Sequence, residues 1–363
     1  MIRAWPTRPE RITTTSSRPT GSRPICSAPI GRSSRRRWPG GPGTVALARA
    51  VADAGGFPFL AAGYLDGGTF AAQVAAYRAL GTPFGVNLFV PDPAEGVDRE
   101  AFAALAARLQ PEADPYGITL DPAPVTGDLD AWPEKLAHLL ADPVPVVSLT
   151  FGLPAVADIA ALRRAGTRVL ASVTTPDEAR AAADAGVDGL VVQGRAAGGH
   201  SATWDPVRTP AAIGTADLVR DVVAAAGLPV VAAGGVDGPS AVRALRAAGA
   251  AAVAVGTLLL RTDEAGTSRT HREALTDPAL GPTVITRAFT GRPARGLRNG
   301  FIDRHEADAP LGYPAIHHLT RPLRKAAAAA GDPDRVHLWA GTGYRNATTG
   351  PAGAVIRDLV REL

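Results

Sequence analysis

From residue 57 onward the chain repeats one pattern: a short apolar run, a glycine or polar turn, then an alanine-rich stretch with helical spacing. The runs fall at residues 57–62, 84–89, 146–151, 168–173, 189–192, 229–233 and 252–255. They are apolar throughout and rich in valine, whereas a strand with one wet face would alternate; this is the character of parallel strands covered on both sides. The intervening stretches, such as 175–185 and 238–248, carry a cap-like Thr or Ser beside Pro and continue in Ala, Leu and Arg, which predicts helices. Most runs start one strand–helix unit after the last, but the stretches before the runs at 146 and at 229 are far longer. Long loops inside a regular array usually carry function.

With a further run at 24–30, the count reaches eight. The expected class is therefore α/β, a (β/α)8 TIM barrel, with a doubly wound parallel sheet as the alternative. Beyond Leu260 the pattern gives way to polar and helical sequence, read as a smaller helical insertion or cap domain, and a closing helix at 352–363 is expected to return to the barrel. The expected organisation is a tail at 1–37, a barrel at 38–262, a helical substrate-side domain at 263–330 and a C-terminal segment at 331–363.

Charge is unevenly placed. The chain carries +4 overall, but positions 1–37 hold nine Arg against Glu10 alone, a balance of +8, so everything after Arg37 carries −4. An Arg-, Ser- and Pro-rich tail with little Leu or Val cannot offset the entropy of ordering, so disorder is expected there. The body shows no basic run, and 19 aromatic residues are few for base stacking, so nucleic-acid binding is not expected. Uncharged stretches such as 247–260 fall short of the roughly 18 apolar residues a membrane span needs. The single cysteine, Cys26, permits neither an intrachain disulfide nor a cysteine zinc cage, which fits a reducing, cytoplasmic compartment.

In a barrel the chemistry lies at the C-terminal strand ends. Asn87 stands at one such end, Gln193-Gly194 at another, Gly234-Gly235 after the run at 229 and Gly256-Thr257 after the run at 252. A glycine after a strand often makes only a tight turn. Two glycine sites at the last two strand ends point to a phosphate, which backbone N–H groups and a following helix start could hold. Asn87 and Gln193 can both donate and accept, which suits the edge of a heteroaromatic ring. The loop after Gln193 runs through Gly198-Gly199 to His200, where glycines let main chain pass close to a ligand and the imidazole can serve as a base.

Other chemistries lack their residues. The remaining six histidines, His317-His318 among them, show no metal-ligand spacing, so no catalytic metal is expected. The two lysines, Lys135 and Lys325, end no strand, against Schiff-base catalysis. No GxSxG elbow, Walker loop or GxGxxG after a first strand occurs.

Several blocks in order, Gly85-Val-Asn87-Leu-Phe, Val192-Gln193-Gly194 through Gly198-Gly199-His200, Ala233-Gly234-Gly235-Val236, Val255-Gly256-Thr257 and Leu338-Trp-Ala-Gly-Thr-Gly-Tyr344, resemble the nitronate monooxygenase family from about residue 39 to the C-terminus. The closing block resembles the bacterial class of that family and not its flavin-dependent enoyl reductase relatives. The resemblance implies an FMN-dependent TIM barrel oxidising alkyl nitronates such as propionate 3-nitronate with molecular oxygen. By it Asn87, Gln193 and Gly198 would contact the flavin ring or ribityl chain, while Gly234, Gly235, Ala254, Val255, Gly256 and Thr257 would hold its end and phosphate. His200 would be the active-site histidine, a base or a stabiliser of the anionic substrate, and Tyr344 would line the substrate pocket. An FMN-dependent NAD(P)H-using reductase and a catalytically impaired flavin-binding protein are the competing readings, and whether the chain forms a homodimer stays open.

One block departs from the family. Its members run from a first strand straight into a sequence like Ala-Pro-Met-Ala-Gly-Gly-Pro, whereas here Ser27-Ala28-Pro29-Ile30 is separated from Trp38-Pro39-Gly40-Gly41-Pro42 by Gly31-Arg-Ser-Ser-Arg-Arg-Arg37. An insertion, a misassigned start or a stretch read in another frame would each produce this. Unpaired guanidinium groups are too costly to bury. The arginines are therefore expected to loop out into solvent or to cost the chain its first strand.

Overall fold

The computed structural model describes residues 41–91 and 96–361; the expected first run at 24–30, the tail at 1–37 and the departing block up to Gly40 lie outside them. Seven parallel strands form one curled sheet in the order β1 (Phe59–Ala61), β2 (Gly85–Phe89), β3 (Val146–Thr150), β4 (Arg168–Val173), β5 (Gly189–Gln193), then β7 (Val230–Ala233) and β8 (Ala252–Ala254). The short β6 (Gly199–His200) lies between them in sequence and joins a second sheet. Neighbouring strands follow one another in chain order, as in a TIM barrel and unlike a doubly wound sheet. Side chains of Val146, Leu170, Val231 and Ala252 cluster on the inside with Phe57 and Phe59. On the outside, Val147, Leu149, Val169, Ala171 and Leu190 are buried against the helices. Both faces are thus apolar, which is why the runs do not alternate.

Helices α1 (Val45–Asp53), α2 (Gly67–Arg78), α3 (Arg99–Ala113), α4 (Trp132–Ala141), α5 (Val156–Arg164), α6 (Pro176–Asp184), α7 (Thr215–Ala226) and α8 (Pro239–Ala247) connect the strands. Their starts follow the sequence. Thr175 caps α6, its hydroxyl accepting from the Glu178 amide, with Pro176 in the first turn where no amide is missed. Thr44 caps α1 in the same way through the Leu47 amide. Such a cap contributes about 0.5–2 kcal/mol. Helix α12 (Ala352–Val360) packs on α1 and α8.

The segment after the barrel contains α9 (Arg269–Ala274), α10 (Gly300–His305) and α11 (Ala315–Ala330), but it is not wholly helical. Strands β9 (Thr283–Thr286) and β10 (Ala294–Leu297) pair antiparallel with each other, and β10 pairs with β6, setting Ala294 opposite His200. The β9 sequence Thr-Val-Ile-Thr is β-branched throughout, yet this sheet takes its third strand from β6, far earlier in the chain, which periodicity alone does not reveal. The small sheet fastens the segment after β8 to the loop that bears His200.

Candidate active site

A cavity of about 580 Å³ opens at the C-terminal ends of the strands, within the size range of small-molecule and cofactor sites. Asn87, Gln193, Gly198, Gly234, Gly235, Ala254, Val255, Gly256 and Thr257 all line it. His200 stands directly behind the lining, next to Gly199 and against Trp339, which both face the cavity.

One end of the cavity is main chain. Gly234 and Gly235 hold φ of 102° and 76°, a left-handed region that a side chain would strain, and a Cβ on Gly234 would stand 2.9 Å from the Ala197 nitrogen. A Cβ on Gly198 would come within 2.4 Å of the Gly341 nitrogen, so the two chain segments meet backbone to backbone. The Thr342 amide donates to the Ala196 carbonyl at 3.0 Å, and the Gly341 amide donates to the Thr257 hydroxyl oxygen at 3.0 Å. The amides of Gly234, Gly235, Gly256 and Thr257 find no acceptor among the described residues. Backbone donors are rarely left unpaired. Four beside one cavity are donors available to an acceptor there.

Asn87 is oriented by its neighbours. Its side-chain oxygen accepts from Ser148 at 2.8 Å and from Thr150 at 2.9 Å, which leaves the amide NH2 for the cavity. Gln193 is committed at both ends, its oxygen accepting from the Ala202 amide at 2.8 Å and its NH2 donating to the His200 carbonyl at 3.2 Å. It therefore folds the His200 loop back on itself while still lining the cavity.

Behind the Trp339 wall the surroundings are side chains. His200 sits among Phe151, Tyr313 and Trp339, with ring centroids 6.0, 5.4 and 5.7 Å away. Its Nε2 lies 2.9 Å from the Thr290 hydroxyl, which itself donates to the Arg292 carbonyl at 3.3 Å. With that proton directed to the carbonyl, Nε2–H of His200 is the donor and Nδ1 carries the lone pair. Burial, and then the charges of Arg292 and Arg324, push the imidazole down to about 3, so it is neutral at ordinary pH. Arg292 lies 4.1 Å from the Phe151 ring centroid and is almost wholly buried. Arg324 is buried as well, donating to Thr320 and to the carbonyl of His317, and burial lowers it to about 10. No ion pair neutralises Arg324 among the described residues.

Tyr64 and Phe151 take φ of 63° and 80°, a conformation costly for aromatic residues and common at functional sites. At Tyr64 it is held by its amide donating to Asp130 at 2.6 Å, and the Asp130 carboxylate is paired at 2.8 Å with the fully buried Lys135. The Tyr64 hydroxyl accepts from Tyr313 at 2.9 Å, and its ring stacks on His317 at 4.0 Å. Burial raises the Tyr64 hydroxyl to about 12 and depresses His317 strongly.

A sequence model of the family described as nitronate monooxygenase matches residues 37–362. The chain belongs to the nitronate monooxygenase family. It is 37% identical over 330 residues to the nitronate monooxygenase of Pseudomonas aeruginosa PAO1, covering 89% of this chain and 93% of that protein. A probable nitronate monooxygenase of Staphylococcus aureus strain Newman is 32% identical over 325 residues, 88% of this chain and 91% of the relative. The crystal structure of a nitroalkane oxidase from Streptomyces ansochromogenes superimposes with a TM-score of 0.83 at 46% identity, covering 90% of this chain and 93% of that one. FabK from Thermotoga maritima, at 24% identity and a TM-score of 0.67 over 88% and 89% of the two chains, shares the fold.

This nitronate monooxygenase family member is thus an oxidoreductase, and no helix among its described residues is long and apolar enough to cross a membrane. Tyr344 does not line the cavity: its ring packs with Leu260, Leu338 and Ala340. The aromatic groups around His200 are instead Phe151, Tyr313 and Trp339, with Tyr64 behind Tyr313. Sequence reasoning passed over Tyr313, Arg292 and His317 because each is remote in sequence from any strand end. The one available signal is the stretch at 289–318, which gathers Phe289, Arg292, Phe301, Tyr313 and His317-His318.

Proposed function

We propose that this protein binds FMN and uses it to oxidise alkyl nitronates, propionate 3-nitronate among them, with molecular oxygen. The observation that carries the reading is the meeting, at one cavity, of an amide socket at Gly234, Gly235, Gly256 and Thr257 with a neutral His200 that backs the Trp339 wall and is flanked by buried guanidinium groups. The residues fit the cofactor. The four orphan amides would hold its phosphate, the backbone at Gly198, packed closely on Gly341, would flank its chain, and the Asn87 NH2 would face an acceptor on the ring edge. When bound, the flavin supplies the electron transfer between nitronate and oxygen.

The protein residues do the rest. Arg292 and Arg324 would draw an anionic nitronate toward the Trp339 wall, behind which Phe151 and Tyr313 pack around His200. An anion there offsets the same two charges that depress His200, so its Nδ1 gains proton affinity as substrate binds. Thr290 fixes the tautomer, which keeps that lone pair on the substrate side. His200 would then take up a proton from solvent at Nδ1 as the anion binds and hold it against the nitronate oxygen, stabilising its negative charge.

The test is oxygen uptake by FMN-supplemented protein with propionate 3-nitronate and no nicotinamide, recorded with the visible spectrum. Rapid uptake with a flavin spectrum is expected. Uptake that requires NADH or NADPH would move the reading to a reductase, and a flavin spectrum without either activity would leave a flavin-binding protein with no turnover.

A further inference from the structure

A second pocket, of about 340 Å³, lies apart from the cavity, against the β6–β10–β9 sheet. Arg195 and Thr209 reach it from the His200 loop, Thr283 and Arg287 from β9 and its end, Arg295 from β10, and Glu306 from the end of α10. Three guanidinium groups and one carboxylate leave the lining at +2. The carboxylate is already committed: Glu306 accepts from the Thr286 hydroxyl and from the amides of Arg287 and Ala288. It forms no ion pair with any of the three arginines.

The arginines are under-used as donors. Arg295, 9% exposed, gives Nε to the Arg195 carbonyl at 2.8 Å and one terminal nitrogen to the carbonyl and hydroxyl oxygens of Thr283 at 2.9 and 3.0 Å, while its other terminal nitrogen has no acceptor among the described residues. Arg287 gives one terminal nitrogen to the Val207 carbonyl at 2.6 Å, and its Nε is buried with no acceptor among them. The Arg195 guanidinium makes no hydrogen bond or ion pair among the described residues. Like charges gathered without counter-charge repel, and burial together with Arg195 lowers the proton affinity of Arg295. Arginines on a solvated face spread apart; these come from three chain segments to one half-open pocket.

We propose that this pocket binds a dianionic phosphate group, either free phosphate or the phosphate of a small phosphomonoester. Arginine forks pair with phosphate oxygens two at a time, the Thr283 and Thr209 hydroxyls add donors, and a dianion cancels the +2 lining. The volume, at the small end of ligand pockets, admits a phosphate with a short organic remainder. Arg195 lies between Gln193 and Gly198, so a phosphate bridging it to Arg287 ties the cavity-lining loop to β9. The bound anion therefore stiffens a wall of the active site without entering it.

The test is calorimetric titration of the full chain, saturated with FMN so that the main cavity is taken, with inorganic phosphate and then with glycerol phosphate at low ionic strength. Saturable binding of one equivalent is expected, weakened roughly 10- to 100-fold by Arg195→Gln or Arg287→Gln, as loss of a charged hydrogen-bonding partner implies. The Arg195 side chain holds no other part of the described protein, so its Gln variant should fold, and Arg195→Lys should bind with intermediate strength because it keeps charge but loses the fork. Tighter binding of glycerol phosphate identifies an organic phosphate as ligand, and equal binding identifies free phosphate. No saturable binding at millimolar concentration, or binding indifferent to both Gln variants, overturns the proposal.

Discussion

At the glycine end of the cavity the wall is backbone, with Gly234, Gly235 and Gly256 at the strand ends, whereas behind the Trp339 wall His200 sits, off the lining, in a shell of aromatic rings and buried charge. The first end comes from successive strand ends of one regular sheet, so the fold itself positions it. The second is assembled from β6, the turn after β9, and α11, segments far apart in the chain. The difference teaches where each kind of change should register: cofactor retention at the backbone end, turnover and pH behaviour at the side-chain end.

The sharpest way to break that division is His200→Asn. A positioned proton-handling group is worth roughly 10²- to 10⁴-fold, so nitronate turnover should fall by that much while the bound flavin spectrum persists. Loss of the flavin instead would show that the two ends are not separable, and full turnover would remove His200 from the chemistry.

Gly198→Ala tests the opposite end. Its Cβ would meet main chain of Ala340 and Gly341, which cannot swing aside as a flexible side chain can. Overpacking costs about 1–3 kcal/mol, so FMN affinity should fall roughly 5- to 150-fold in a fluorescence titration, with turnover per bound flavin largely kept. Unchanged affinity would mean that the close approach to residue 341 has no part in holding the cofactor.

These two ends were not equally legible in the sequence. Glycines at the last two strand ends are a local signal, because a backbone site needs residues without side chains wherever it occurs, and every position named for it lines the cavity. His200 was legible for the same reason, standing beside such glycines. Tyr313, Arg292 and Arg324 were not, since an aromatic or arginine in a helix or turn carries no mark of what packs against it. The parallel sheet was legible from uniform apolar runs; β9 and β10 were not, because the strand that ties them to the barrel loop, β6, is only Gly199–His200.

Acid should expose the side-chain end next. His200 in the folded protein lies near 3 and His271, depressed by burial, near 4, both below the unfolded value of about 6.5. Between those values the unfolded chain binds protons that the native state does not, so stability falls as pH drops from about 6.5 toward 4. Each such histidine contributes up to about 1.4 kcal/mol per pH unit, a tenfold change in the folding equilibrium. Denaturant melts at pH 7, 6 and 5 should show the loss, and it should flatten in His200→Asn and again in His271→Gln. A stability unchanged from pH 7 to 5 would mean that these imidazoles are not held neutral.

Tyr313→Phe probes the smallest effect. The change removes the proton that Tyr313 donates to the Tyr64 hydroxyl but keeps the ring that packs on His200 and Phe151. One such hydrogen bond contributes about 1 kcal/mol net, so KM for nitronate should rise by no more than about fivefold, with flavin affinity unmoved. If kcat instead fell as far as in His200→Asn, the Tyr313 hydroxyl would have to act on the substrate directly. The side-chain end would then hold two chemical groups, with Tyr64, fastened through Asp130 and Lys135, serving to aim the second.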